Sequence, residues 1–167
     1  MKPETVFVAL GANLDHPELQ VEAGIRELAD LPQTRLVRRS SLYRSAPVGY
    51  RDQPDFVNAV AQIETGLKPR DLLEALLAIE LRRGRVRDFP NAPRTLDLDI
   101  VLYGSLTLHE PGLTIPHPRM HQRAFVILPL AEIAPEALIP GRGRIADLVW
   151  NVDVTGMVKL ADVQKCE

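Results

Sequence analysis

The sequence predicts an α/β (α+β) fold, a ferredoxin-like βαββαβ sandwich with a C-terminal extension, in a single domain over residues 1–167. Three observations predict it. Apolar residues alternate with period two through Phe56–Thr65 and through 95–103, and recur with the helical period after Pro17 and after Pro69. The segments follow the order strand, helix, strand, strand, helix, strand, the split βαβ pattern. The length of 167 residues suits one domain, and no linker, repeat or low-complexity stretch divides it.

The first strand is Val6-Phe7-Val8-Ala9-Leu10, apolar on both faces as a central strand is, and it ends at Gly11. Asp15 and His16 before Pro17, with Glu18 following, open a helix whose Val21, Ile25 and Leu28 recur at i, i+4, i+7; Pro32 closes it. Residues 34–43 alternate poorly and carry Arg35, Arg38 and Arg39, which predicts one solvated or edge strand. Pro47, Gly49 and Pro54 make 44–54 a loop. In Phe56–Thr65, Val57, Ala59, Ala61 and Ile63 take one face, and Phe56, Asn58, Val60 and Gln62 the other.

A second helix starts at Pro69, buries Leu72, Leu73, Leu76, Leu77 and Ile79, and runs out at Arg83 and Gly84. After a Pro- and Arg-rich loop comes the strand 95–103. The remainder has a turn at Glu110-Pro111-Gly112, a short segment ending at Pro116-His117, an apolar stretch 124–134 and a terminal helix near 145–152.

Composition excludes several classes. Twenty basic and 22 acidic side chains leave a formal charge of −2, so there is no polycationic field for nucleic acid. Cys166 is the sole cysteine, which rules out an intrachain disulfide or a cysteine-rich metal site and fits a reducing compartment. The apolar run at 124–131 is broken by Pro129 and is far shorter than the ~20 residues of a membrane helix. Glu4 stands where a signal peptide would be basic. A cytoplasmic protein is expected, with no nucleic-acid or membrane partner and nothing that demands more than a monomer.

The chemistry concentrates around Thr95-Leu96-Asp97-Leu98-Asp99-Ile100-Val101-Leu102-Tyr103. Alternation puts Leu96, Leu98, Ile100 and Leu102 on the core face and projects Asp97 and Asp99 together from the other, with Cα atoms about 6.5–7 Å apart. Two like charges on one strand face repel, and aspartate is a poor strand former. A hard divalent cation such as Mg²⁺ answers the conflict, since it takes one or two carboxylates plus phosphate oxygens and water. Charge that blunts a sheet edge is the alternative.

The segment upstream favours the cation. Arg82, Arg83, Arg85, Arg87 and Arg94 face a single acidic residue, Asp88, within residues 82–94. Guanidinium groups bind phosphate oxygens bidentately, so this block beside a carboxylate-held metal suits a triphosphate; a solvated charge run is the plainer reading. Gly84, Pro90 and Pro93 suggest a shaped loop able to close over a nucleotide. Neither nucleotide-binding glycine motif occurs.

His117 and His121 are spaced for zinc, but Pro118 disfavours a helix at His117 and the zinc-protease glutamate is missing. His117 or Arg123 touching a phosphate fits better. Phe56 and Asn58 share a strand face, an aromatic platform beside an amide that could hold a flat heterocycle, or equally a core Phe and an amide serving a loop.

Taken together, Arg94-Thr95-Leu96-Asp97-Leu98-Asp99-Ile100 resembles the signature of the 6-hydroxymethyl-7,8-dihydropterin pyrophosphokinase family of folate biosynthesis. The resemblance continues through Gly11-Ala12-Asn13-Leu14, Asp52-Gln53-Pro54-Asp55-Phe56-Val57-Asn58, Ile79-Glu80, Gly84-Arg85-Val86-Arg87, Pro116-His117, Arg123-Ala124-Phe125 and Pro129-Leu130-Ala131-Glu132-Ile133-Ala134-Pro135. It implies a ferredoxin-like fold and transfer of a pyrophosphoryl group from ATP to the pterin hydroxymethyl, with AMP as the other product. It further implies that Asp97 and Asp99 hold two Mg²⁺ ions and, with Arg85 and Arg94, carry catalysis. Leu73, Arg85, Arg87, Arg94, Ile100, His117 and Arg123 would bind ATP. Ser45, Val48, Phe56, Asn58 and Phe125 would bind the pterin, and Glu80 would support the site.

Three positions depart from the family pattern. Where some members carry a tryptophan before the signature arginine, this chain has Asp88-Phe89-Pro90-Asn91-Ala92-Pro93. Phe56 replaces a tyrosine of some members, and Leu77 a glutamine. The rival readings are a noncatalytic ferredoxin-like module that binds a small ligand, and another metal-dependent phosphotransferase acting on a nucleotide or sugar.

Overall fold

The computed structural model describes residues 3–14, 16–45, 54–84 and 96–160. Its elements in order are β1 (Glu4–Ala12), α1 (Pro17–Ala29), β2 (Thr34–Arg39), β3 (Tyr43–Ser45), β4 (Phe56–Thr65), α2 (Pro69–Arg82) and β5 (Asp97–Tyr103). There follow the hairpin β6 (Leu108–Glu110) and β7 (Leu113–Ile115), α3 (Ala124–Ile133), the pair β8 (Leu138–Ile139) and β9 (Gly143–Arg144), the single turn α4 (Ile145–Leu148) and β10 (Val158–Lys159).

The main sheet runs β10-β3-β4-β1-β5, with β2 also paired to β4, and every pairing is antiparallel. β1 and β2 both run opposite to β4, so they are parallel to each other with β4 between them. This is the split βαβ arrangement expected from the order of elements. β1 lies between β4 and β5, as its two apolar faces predict.

Two apolar layers flank the sheet. On one face, Val6, Val8, Leu10, Val57, Ala59, Ala61, Ile63, Leu98 and Ile100 pack with Val21, Ile25 and Leu28 of α1 and Leu72, Leu76 and Ile79 of α2. On the other, Phe7, Val60, Val101 and Leu102 pack with Val126, Ile127, Leu130 and Ile133 of α3. The reach of α3 decides where the functional surface lies. It covers Phe7 and Val60 and leaves the ends of β1, β4 and β5 that carry Gly11, Asn58 and Asp97 to other uses.

The structure corrects four expectations. The strand foreseen over 34–43 is two strands, because Ser40 satisfies β4 with its side chain as well as its backbone and the chain then turns away. Leu102 does not share the face of Leu98 and Ile100. Phe7 pairs with Leu102 and Val8 with Ile100, so Val101 is an extra residue, a β-bulge that sends Leu102 to the α3 side and returns Tyr103 to the first. Leu77 is 44% exposed, since Leu72, Leu76 and Ile79 already make the inward stripe of α2 and the next inward place is taken by Glu80. The terminal helix shrinks to α4 and a 3-10 turn at Val149–Asn151, and β10 then joins the sheet. No helix among the described residues is long and apolar enough to cross a membrane.

Candidate active site

The site is built on cross-strand register. Tyr43 pairs with Asn58, Asn58 with Gly11, and Gly11 with Asp97, a row across four strands. One step along, Ala9 lies between Val60 and Asp99. With alternation of two, Phe56, Asn58, Asp97 and Asp99 therefore share the α3 side of the sheet. Glycine and alanine at the middle strand keep side-chain bulk between the amide and the carboxylates small.

Gly11 is required there by close approach. A Cβ at this position would stand 2.6 Å from Asn58 Nδ2, which no real contact tolerates. Asn58 is 7% exposed, and its Nδ2 donates to Leu10 O at 3.4 Å. Its Oδ1 is buried and finds no hydrogen-bond donor among the described residues. A buried carbonyl oxygen left without a donor costs about 1–3 kcal/mol, so this oxygen is a standing acceptor for a ligand N–H. Phe56, opposite Ser45, lies two residues before Asn58 on the same strand face. Asn13, 1% exposed, donates Nδ2 to Pro54 O at 3.0 Å and ties the end of β1 to the entry of β4.

Asp97 and Asp99 are half-buried neighbours on β5. Between them Leu98 donates its N–H to Oε2 of Glu80 at 2.7 Å, and Glu80 is 2% exposed on α2. The Glu80 carboxylate thus closes the edge of β5 where, among the described residues, no further strand follows. Two same-face carboxylates on a floor of Gly11 and Ala9 fit a hard divalent cation that completes its shell with phosphate oxygens and water. Among the described residues no third His, Cys, Asp or Glu gathers with them into a ligand set of three.

His117 enters from the β6–β7 hairpin. Its N–H donates to the carbonyl of the bulge residue Val101 at 3.1 Å, and its Nδ1 accepts the Arg119 N–H at 3.2 Å. Burial and the nearby Arg123 push its pKa down to about 4, Arg119 adds to this, and Asp97 pulls the other way. The ring is therefore neutral at physiological pH, and with Nδ1 accepting, its proton sits on Nε2. Arg123 precedes the first turn of α3 and its guanidinium stands 5.5 Å from the ring centroid of Phe125, a cation–π contact.

A family model described as 7,8-dihydro-6-hydroxymethylpterin-pyrophosphokinase (HPPK) matches residues 7–135. The chain belongs to the HPPK family. The 2-amino-4-hydroxy-6-hydroxymethyldihydropteridine pyrophosphokinase of Pseudomonas aeruginosa is 48% identical over 157 residues, covering 94% of this chain and 97% of that protein. The Haemophilus influenzae protein of the same name is 48% identical over 156 residues, covering 93% and 98%. Among solved structures, wild-type Plasmodium falciparum HPPK-DHPS with pteroate aligns at a TM-score of 0.72 and 13% identity over 90% of this chain, a likeness of fold. This chain spans less than half the length of the HPPK-DHPS chains it resembles.

Of the HPPK positions named from sequence, the structure brings Asn58, Phe56, Asp97 and Asp99 to one sheet face, with His117 and Arg123 within electrostatic reach of each other. Leu73 and Ile100 lie on the opposite face, in the layer between the sheet and α2. Arg85, Arg87, Arg94 and Val48 lie outside the described residues, as do the rest of the arginine loop over 85–95, with Phe89, Pro90 and Pro93, and Asp15 and Cys166. Sequence reasoning passed over what Gly11, Asn13 and Glu132 do. The signal for Asn13 was an amide directly after the run 6–12, which has no polar side chain, and for Glu132 the only ionisable residue of α3.

Proposed function

We propose that the chain transfers the pyrophosphoryl group of ATP to the hydroxymethyl oxygen of 6-hydroxymethyl-7,8-dihydropterin, giving AMP and the pterin diphosphate in folate biosynthesis. Membership of the HPPK family supports this reaction, and ATP is the co-substrate such a kinase implies. The observation that carries the reading onto this chain's residues is the buried Asn58 Oδ1, which lacks a donor among the described residues and lies in the same cross-strand row as Asp97, with Gly11 between them. A pterin ring offers N–H donors along one edge and a flat face, so it would satisfy Asn58 and lie against Phe56 and Phe125.

Bond changes balance simply. The hydroxymethyl oxygen bonds to the β-phosphorus, the bond from that phosphorus to the α,β-bridging oxygen breaks, and AMP leaves with the electron pair. The hydroxyl proton passes to solvent or to Asp99, the carboxylate next along the strand. Asp97 and Asp99 would hold Mg²⁺, two ions in this reading. Bound there, the ions would neutralise charge on the phosphates. The neutral His117 presents Nε2–H as a donor to a phosphate oxygen, and Arg123 supplies a fixed positive charge at the start of α3. Arg85, Arg87 and Arg94 would add cations from the arginine loop.

The matches over nearly the whole length of the two bacterial relatives support one domain, read here as a cytoplasmic monomer. AMP formation from ATP and Mg²⁺, measured with and without the pterin, tests the activity. Release only with the pterin is expected. ADP in place of AMP would reject attack at the β-phosphorus, and pterin binding without turnover would favour a binding module.

A further inference from the structure

β2 and β3 run along the same edge of β4, separated by residues 40–42. At Ser40 the chain still touches β4: its N–H donates to Val60 O, and its Oγ accepts the Val60 N–H, both at 2.9 Å. Ser41 has turned away, and its donors go to another element. Its N–H and Oγ–H reach the two carboxylate oxygens of Glu132 at 3.0 and 2.8 Å. Two residues on, Tyr43, 5% exposed, donates its hydroxyl to Glu132 Oε1 at 2.7 Å.

Glu132 sits in the last turn of α3, at the opposite end from Arg123 and Phe125. Lys159 of β10 places Nζ 3.6 Å from Glu132 Oε2. β10 lies against the outer edge of β3, Lys159 opposite Tyr43, and Leu160 donates its N–H to Leu42 O at 2.8 Å. One carboxylate thus gathers α3, the 40–42 gap, β3 and β10. Burial pushes the Glu132 carboxyl upward, but the donors Tyr43 and Ser41, with Lys159 beside them, outweigh it and hold the carboxyl below its ordinary value.

A three-residue strand, flanked on its outer side only by the two-residue β10, has little holding it by itself. Here its placement matters, because Tyr43 is directly opposite Asn58 and Ser45 directly opposite Phe56. Whatever fixes β3 fixes one side of the Asn58–Phe56 surface. We propose that Glu132 is a positioning residue for the pterin: through Ser41, Tyr43 and Lys159 it holds β3 in register against Asn58 and Phe56. The proposal rests on the pyrophosphokinase reading above. Glu132 acts through other residues and touches no substrate. Lys159 lies beyond residues 7–135, so the clasp draws on a part of the chain outside the family match.

The test compares wild type, Glu132→Ala, Glu132→Gln and Tyr43→Phe. It measures the Kd of 6-hydroxymethyl-7,8-dihydropterin in the presence of Mg²⁺ and α,β-methylene-ATP, and separately the Kd of that analogue. Glu132→Ala is expected to weaken the pterin about tenfold and the analogue by less than about twofold, with Glu132→Gln recovering most of the loss through its remaining carbonyl oxygen. A purely structural role would lower the folded fraction and leave both constants of the folded molecules unchanged. An unchanged pterin Kd in folded Glu132→Ala, or equal losses for both ligands, overturns the proposal. If Glu132→Ala does not fold, Tyr43→Phe decides: about threefold weaker pterin binding supports the clasp, and wild-type binding overturns it. Wild-type protein that forms no AMP with the pterin would sink the pyrophosphokinase reading and this proposal together. Wild-type turnover beside an unaffected Glu132→Ala would remove the positioning role alone.

Discussion

The carboxylate of Glu80 accepts the amide N–H of Leu98 at 2.7 Å, so a buried acid on α2 grips β5 midway between Asp97 and Asp99. Glu80→Ala leaves that N–H without this acceptor and is expected to cost about 1–3 kcal/mol in urea unfolding. Because the same strand aims both aspartates, kcat for AMP release should also fall about tenfold or more. Glu80→Gln, which keeps an acceptor oxygen, should recover most of both. Wild-type kcat in folded Glu80→Ala would confine Glu80 to stability.

Gly11→Ala places a methyl group 2.6 Å from Asn58 Nδ2, so the amide has to move. Overpacking of this kind costs about 1–3 kcal/mol. The expected functional signature is pterin affinity reduced about tenfold, with the Kd of α,β-methylene-ATP within about twofold of wild type. Calorimetry of both ligands measures it, and equal losses would place the damage elsewhere than at the amide.

Asp97→Ala and Asp99→Ala should each lower kcat by about a thousandfold or more, since loss of a metal-holding carboxylate removes several kcal/mol of transition-state stabilisation. Neither should unfold the protein, because each removes one of two like charges on a single strand face. AMP release together with thermal unfolding of the metal-free variants checks both halves. Near-normal turnover in either variant rejects the metal assignment.

His117 makes the metal-free protein sensitive to acid in a defined window. Burial, with Arg123 and Arg119, lowers its pKa from 6.5 to about 4, so between these values the unfolded chain binds a proton that the folded chain refuses. Stability contributed here is complete above about pH 6.5, declines as pH falls toward 4, and changes no further below. His117→Gln should flatten this limb in unfolding midpoints measured from pH 3.5 to 7.5. An identical pH profile for the variant would contradict the neutral, partly buried ring.

Period-two alternation made β4 and the first half of β5 legible in the sequence, and with them the shared face of Phe56 with Asn58 and of Asp97 with Asp99. It failed at Ile100-Val101-Leu102-Tyr103, where four successive large nonpolar or aromatic side chains carry no alternation. The bulge there depends on how β1 pairs, a relationship between distant segments. The break at Ser40 was hidden for a similar reason, since a serine replaces a ladder bond only where a partner strand offers Val60. His117 and Arg123 could be nominated as phosphate contacts, but the nearness of His117 to Arg123 and Asp97 comes from the path after the hairpin. Glu132 stood out by composition alone, and its partners lie 91, 89 and 27 residues away along the chain.

The bulge at Val101 gives β5 two reading frames. Upstream of it, odd-numbered residues look toward α3; downstream, that relation is inverted, so Leu102 is oily on the side where Asp97 and Asp99 are charged. The hydrophilic half of the strand and its greasy half can therefore obey opposite parities without conflict. Deleting one residue at this point would force a single parity on the whole strand and set one half against its surroundings. The extra residue also turns its carbonyl to His117, so the defect that reconciles the two halves is where the histidine's backbone is fastened.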